Sequence, residues 1–390
     1  MVKLIKKIFM SEFGLKLQEK FFPNNYTDPD NTSLILKAME RFRNCDNKKN
    51  KSRIKREIQL CKKYWKCYPH HYFTNNLYRA DKEFTDEELI NYIPQFYWFN
   101  VFLPHYSSPR FYLIGENKII IEQFFKALKI SQPKTLCILL NGYVYSSGME
   151  RLTGNQVQNE LIQNNPEKLF VKPAEGCGGK GIHIFHKNDP GHFVTKDNVS
   201  FDQHFLDTIG KDQDYIVQHG VTQSREISEI YPESVNTFRI YTENKNGMAR
   251  VVCAMLRMGH GHKEIDNVSS GGICVNIDIS TGKLGNYAIS YEEEKFLQHP
   301  DTHVAFRNVT ISQWEEIWKF AILSASKIPF LTYLGWDIAL TPDGPVAIEI
   351  NRTPAIDIIE MLSGGKRVAF GIDDPDYYWK NLGKRADHFK

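Results

Sequence analysis

The chain has 390 residues, 42% of them hydrophobic and 24% charged, with a formal net charge of +3. That length suits two or three domains with ample core, and the absence of any run of 18 apolar residues argues against a transmembrane span. Seven cysteines, none in a Cys-x-x-Cys pair, argue against disulfides and structural zinc and fit a reducing cytoplasm.

The first 66 residues hold 17 Lys/Arg against 7 Asp/Glu, a surplus of ten positive charges, so the rest of the chain carries −7. Charges interrupt the start too often for a secretory signal. Leu4, Ile5, Ile8 and Phe9 share one helical face. The start therefore reads as a solvated helix docked on its own domain, or as a basic helix lying on an anionic membrane surface. The basic run at 48–56 lacks any accompanying nucleic-acid motif, so no nucleic-acid partner is expected. Residues 1–110 read as mostly helical, and the aromatic-rich stretch at 94–112 reads as core. A helix over 115–133 follows, ended by Pro133, then a strand and turn at LCILLNGYVY and a polar helix over about 152–163. From residue 169 the chain becomes strand-rich, interrupted by a helix over about 312–327. Strands with few interspersed helices predict an α+β architecture. His260-x-His262 and His299-x-x-x-His303 lack a suitably spaced third ligand for metal.

Two stretches carry chemistry. LFVKPAEGCGGKGIHIF (169–185) places Gly176, Gly178, Gly179 and Gly181 in six positions, with Lys172 upstream and Lys180 inside. Its Gly-x-Gly-x-x-Gly spacing matches the dinucleotide fingerprint, but the residues after it are β-branched or aromatic and read as a strand, not the required helix. A P-loop fails because Gly181 follows Lys180 where Ser or Thr is needed. Strand, glycine turn and strand remain: either a flap whose N–H groups fold over phosphates or an ordinary flexible hairpin. The second stretch, YLGWDIALTPDGPVAIEINRTPAID (333–357), folds as a hairpin about Thr341-Pro342-Asp343-Gly344. The fold puts Asp337 opposite Ile348 or Glu349, and Glu349 and Asn351 on one sheet face. Three oxygen-bearing side chains in so apolar a segment suit Mg²⁺, which bridges carboxylates to nucleotide phosphates. Outward-facing polar residues of a half-buried hairpin are the plain alternative.

With the motifs VNTFRI, LRMG, DNVSSGGICVNID and HPDT between them, these stretches resemble the ATP-grasp superfamily of carboxylate–amine ligases. The likeness is nearest to the sugar-transfer-associated branch, also described as α-L-glutamate-ligase-related, and covers roughly residues 115–357. A protein kinase also has a glycine flap, but no His-Arg-Asp or Asp-Phe-Gly triplet occurs. The resemblance implies an ATP-grasp fold, two α+β lobes gripping ATP after a mostly helical N-terminal region. The segments expected are a basic helical region at 1–113, a linker helix and small lobe with the flap at 114–235, and a large lobe with the metal and substrate site at 236–390.

The resemblance also implies roles. Lys172 and Lys118 reach the phosphates, although Asn117 precedes Lys118 where the family more often has Asp. Gly176, Gly178, Gly179, Lys180 and Gly181 form the flap. Gln218, His219, Gly220 and Val221 hold adenine at the hinge, and Glu226 or Glu229 holds the ribose. Arg239 and Arg257 steady the γ-phosphate and acyl phosphate, and Asn267 lines the reaction centre. Asp337, Glu349 and Asn351 ligate two Mg²⁺ ions, with Mn²⁺ as a substitute. The function implied is an ATP-dependent ligase acting through an acyl phosphate in surface polysaccharide, capsule or glycoconjugate assembly. It would join a small-molecule amine such as an amino acid to a carboxylated sugar or glycan, in the cytoplasm or at the inner face of the membrane. The alternatives are an ATP-dependent phosphotransferase and a non-catalytic nucleotide-binding partner of glycosyltransferases.

Overall fold

A computed structural model describes residues 29–382 and 384, apart from Cys177 and Pro190. The basic helix expected over residues 1–18, in either of its readings, lies outside them. The described residues divide into two compact units. The first draws on the described residues up to Ser108, on Phe330–Tyr333 and on those from Thr353 onward, the second on Pro109–Pro329 and Leu334–Arg352. Residues 353–384 thus group with the N-terminal helices, which the segmentation by lobes did not anticipate. No helix among the described residues is long and apolar enough to cross a membrane.

The first unit is helical. Its helices include α1 (Pro29–Asn44), α2 (Lys51–Trp65) and α3 (Asp86–Asn91), and the last two begin where the sequence supplies caps. Asn50 accepts from the Arg53 N–H, and Thr85 and Glu88 form a reciprocal capping box. The aromatic stretch does form core: Trp98 and Phe102 are fully buried, and Trp98 stands 4.7 Å from the Phe370 ring, centroid to centroid. Three of the six bases in the run at 48–56 are ion-paired within the unit. Lys49 bonds the buried Glu57, Arg53 bonds Glu57 and Glu83, and Arg56 bonds Asp86.

The second unit is built on two antiparallel sheets. Helix α4 (Lys118–Ala127) leads into β1 (Thr135–Leu140) and β2 (Tyr143–Tyr145), then α5 (Gly154–Asn164), β3 (Lys168–Pro173), β4 (His183–Asp189), β5 (His192–Val194), α6 (Gln203–Ile209) and β6 (Tyr215–His219). These strands make a six-stranded sheet ordered β2-β1-β6-β3-β4-β5. The second sheet follows: β7 (Thr237–Lys245), β8 (Met248–Met258), β9 (Ile273–Ile277), β10 (Leu284–Ile289), β11 (Lys295–Phe296), α7 (Trp314–Ser326), β12 (Tyr333–Thr341) and β13 (Gly344–Asn351). Its order is β11-β10-β9-β8-β7-β12-β13. The α+β class read from the sequence is the one observed.

The period-2 alternation of a strand decides what each sheet face carries. In the first sheet Leu169, Val171, Tyr215 and Val217 point to a core closed by Val157 and Leu161 of α5 and by Phe205 of α6. Ile216 points the other way, toward Ile119 of α4. Phe170, Lys172 and Gln218 share that second face, because the register pairs Phe170 with Gln218 and Lys172 with Ile216. In the second sheet Phe238 turns to Trp314 of α7, so Thr237 and Arg239 turn away from it. Phe125 of α4 stacks on Trp336 of β12 at 6.1 Å, which ties the helix between the two sheets.

One element departs from expectation. The helix read over 115–133 starts only at Lys118 and ends at Ala127. Asn117 is extended and caps α4 with its side chain, accepting from the Ile119 and Ile120 N–H groups, while its backbone bridges to Glu175. At the other end Lys129 takes a left-handed conformation, φ +53°, which stops the helix before Pro133. The apolar periodicity across this stretch outweighed the Asn signal in the sequence reading.

Candidate active site

The two inward faces enclose a cavity. Lys118, Lys172, Gly176, Gly178, Gly179, Lys180, Gln218, His219, Val221, Arg239, Arg257, Asn267, Asp337, Glu349 and Asn351 all line it. Residues drawn from stretches more than 200 positions apart thus meet in one place.

The flap begins where β3 ends. Gly178 and Gly179 take φ +71° and +73°, a region that L side chains resist, and this lets the turn fold back over the cavity. Its tip rests on the loop after β8: Ser270 Oγ donates to the Gly178 carbonyl at 2.7 Å, and Ile265 lies beneath Gly179. Lys118 Nζ donates to the Gly176 carbonyl at 2.8 Å, and Lys172 Nζ to Gln218 Oε1 at 3.0 Å. Burial pulls the Lys172 ammonium down to about 8, with Lys118 adding to the fall and Glu349 opposing it.

Arg239, Arg257 and Asp337 form a buried knot on the second sheet. Arg239 grips both Asp337 carboxylate oxygens, and Arg257 Nη2 lies 3.1 Å from Oδ2. Burial works against the Asp337 carboxylate, but Arg239 and then Arg257 outweigh it and hold its pKa below the ordinary range. The hairpin register is Asp337 opposite Glu349, with a bulge just after Asp337 that settles the choice left open by the turn. Glu349 has no such partner. Burial raises its pKa, Asp337 adds to the rise, and Lys118, Arg239 and Lys172 oppose it. Asn351 Nδ2 is buried with no hydrogen-bond partner among the described residues.

Among the described residues no three His, Cys, Asp or Glu side chains cluster as metal ligands. The candidate set is instead two carboxylates and one amide. Its chemistry fits a hard cation with oxygen ligands, and Glu349, which no cation of the described residues bonds, is the member that most needs one. These three residues would hold Mg²⁺, whose charge, when bound, neutralises phosphate oxygens.

Four expected residues are not in the cavity lining. Glu226 accepts from the Ser312 N–H and hydroxyl, and Glu229 pairs with Arg225. Both lie outside the cavity lining and are engaged with those partners. Gly220 meets Lys168 instead: its N–H donates to the Lys168 carbonyl, and an added Cβ would stand 2.7 Å from Lys168 Cβ. Gly181 packs on Pro173 at the flap base. Asn267 does line the cavity, but its Oδ1 is engaged in capping the turn at Ser269.

The sequence reading also missed residues that line the site. Phe170 and Thr237 lie two positions before Lys172 and Arg239, and strand alternation would have found them. Glu264, Ile265 and Asp266 sit in a loop with no periodicity to read. Glu264 is held by Lys168 and Lys196. Asp266 accepts from the Thr237 N–H at 3.2 Å and from the Thr237 hydroxyl.

Residues 100–368, more than half of the chain, match the family described as sugar-transfer associated ATP-grasp. Among curated proteins none matches the sequence. Similar solved structures include D-alanyl-alanine synthetase A from Vibrio cholerae, 14% identical over 69% of this chain and 66% of that one, at a TM-score of 0.38. Biotin carboxylase from Campylobacter jejuni is 12% identical over 70% of this chain and 47% of its own, at 0.39. D-cycloserine synthetase DcsG is 12% identical over 70% and 73%, at 0.37. The chain thus spans between about half and two thirds of the length of the first two.

Proposed function

This chain belongs to the sugar-transfer associated ATP-grasp family, and on that footing we propose that it is an ATP-dependent carboxylate–amine ligase that forms an amide through an acyl phosphate. The observation that carries the reading is the convergence of two lysines, two arginines and the Asp337–Glu349–Asn351 set on one cavity beneath a glycine flap. A carboxylate resists an amine because its oxygen is a poor leaving group. Transfer of the γ-phosphoryl group of ATP converts that oxygen to phosphate. The amine then forms the C–N bond as the C–O bond breaks, and the electron pair leaves with phosphate. Of the two protons lost by a primary ammonium, one leaves with hydrogen phosphate and one goes to solvent.

The chain's own residues would do three things. Lys118 and Lys172 would orient the phosphates. Arg239 and Arg257, held at fixed positions by Asp337, would offer charge where the acyl phosphate forms. The flap would keep water from that intermediate. The family description points to glycan chemistry, so we propose a carboxylated sugar as acceptor and an amino acid as amine. The decisive experiment is an ATP-turnover screen of amino acids against uronic acids, read by mass spectrometry. An amide product with stoichiometric ADP supports the reading. A stable phosphorylated product without an amine would replace it with a phosphotransferase.

A further inference from the structure

Asp266 is a carboxylate in an unlikely place. It lines the cavity on the loop that supports the flap tip, with Ile265 beneath Gly179 and Ser270 bonded to Gly178. On its other side it adjoins Arg257, whose Nε stands 3.5 Å from Asp266 Oδ2. In the ligase reading this is the phosphoryl-transfer end of the cavity. A further, largely buried carboxylate there repels phosphate unless a cation accompanies it.

The surroundings do not supply that cation in full. Arg257 is shared with Asp337, to which it is the nearer at 3.1 Å. The Thr237 N–H, the Thr237 hydroxyl and Arg257 all address Asp266 Oδ2. No side chain or backbone group of the described residues bonds Oδ1. Two other carboxylates of the cavity differ: Asp337 is gripped by two arginines, and Glu264 pairs with two lysines, while Glu349 belongs to the candidate metal set. Asp266 is thus anchored by one oxygen and presents the other.

We propose that Asp266 Oδ1 receives the ammonium group of the amine substrate, so that the nucleophile enters this site as an aliphatic primary ammonium cation. The proposal rests on the ligase reading above. Anchoring by Thr237 fixes the carboxylate rotamer, and the free oxygen supplies a charge-assisted hydrogen bond. The cation offsets the repulsion between Asp266 and the phosphates, so amine and nucleotide favour each other's binding.

The test uses the full-length protein, Mg·ATP and a pool of uronic acids and amino acids as carboxylates. Two nucleophiles are compared: a pool of primary amines, charged at neutral pH, and hydroxylamine, largely uncharged there. Asp266→Asn keeps the shape and an oxygen for Thr237, but turns an NH₂ group toward the cavity. The expected result is hydroxamate yield comparable with wild type, showing a folded enzyme that still activates carboxylate. Amide yield should fall about tenfold or more, the size expected when a hydrogen bond to a charged group is lost. The KM for amine should rise while the KM for ATP stays level or falls, since the variant also removes the anion that repels phosphate. Equal loss of both products would make Asp266 a support for Arg257 and overturn the proposal, as would no loss of either. Hydroxamate formation by wild type without amide from any ammonium would also overturn it. Neither product from wild type would instead remove the ligase reading, and this proposal with it.

Discussion

Asp337 and Glu349 face each other across one hairpin, yet their surroundings push them in opposite directions. Asp337 neutralises two buried arginines, so its first effect is on the fold. Asp337→Ala should cost about 3–5 kcal/mol, because it strands buried charge, and thermal melting will show it. Glu349 is the reverse case: its charge is a burden in the absence of ligand. Glu349→Gln should leave the melting temperature unchanged or higher while abolishing ATP turnover. Full activity in that variant would show that the hairpin does not meet the phosphates. Lys172 adds a pH test. Its folded pKa of about 8 lies below the ordinary 10.5, so between those values the unfolded chain binds more protons. Its contribution to stability therefore rises with pH across that window, and below it the burial cost of the ammonium is fully present. Phosphate beside Lys172 raises the pKa again. Nucleotide binding should accordingly take up a proton at about pH 9 and almost none at about pH 6. Calorimetry in buffers of different ionisation enthalpy measures this, and Lys172→Met should erase the difference.

The flap is an element whose role depends on backbone, not side chain. Gly178→Val and Gly179→Val each place a β-branched residue at positive φ, and at Gly179 the new Cβ would meet Ile265 at 3.4 Å. Both should raise the apparent KM for ATP, with the melting temperature little changed because the tip is surface structure. Unchanged ATP kinetics would reduce the flap to an ordinary hairpin. Elements with a strong period were legible from sequence. The helix read over about 312–327 is observed at Trp314–Ser326, and the Pro342-Asp343 turn joins β12 to β13 as read. The helix read over 115–133 begins only at Lys118, because Asn117, within the apolar repeat, caps it and also bonds Glu175, 58 residues away.

In the molecule as a whole, the first unit is closed by contacts that no local pattern announces. Glu360, on the helix Asp357–Ser363, accepts from the Ile93 and Lys366 backbone N–H groups and from Asn75. Burial raises its pKa to about 8 despite those donors. A carboxyl raised in the folded state binds more protons than in the unfolded one. Its stabilising effect is therefore complete below the ordinary 4.5 and is lost as pH rises toward 8. Glu360→Gln should flatten that part of the stability–pH curve, whereas Glu360→Ala should cost about 1–3 kcal/mol at any pH by leaving buried N–H groups unpaired. Melting curves of both variants across that range decide the matter.

The amino-acid order alone made the fold class, the glycine turn and the hairpin legible, and the family resemblance it carries pointed to most of the lysines, arginines and oxygen-bearing side chains that line the cavity. Strand alternation, glycine chemistry and turn signals are local and survive in one dimension. Only the tertiary structure decided which of those groups neutralise one another. Arg239 and Arg257 are paired with Asp337 from 98 and 80 positions away, Glu226 and Glu229 turn to other partners, and Asp266 keeps one oxygen free. Charge compensation falls steeply with distance and depends on burial. A residue's role in this site is therefore set by neighbours that only the folded chain brings within a few ångströms.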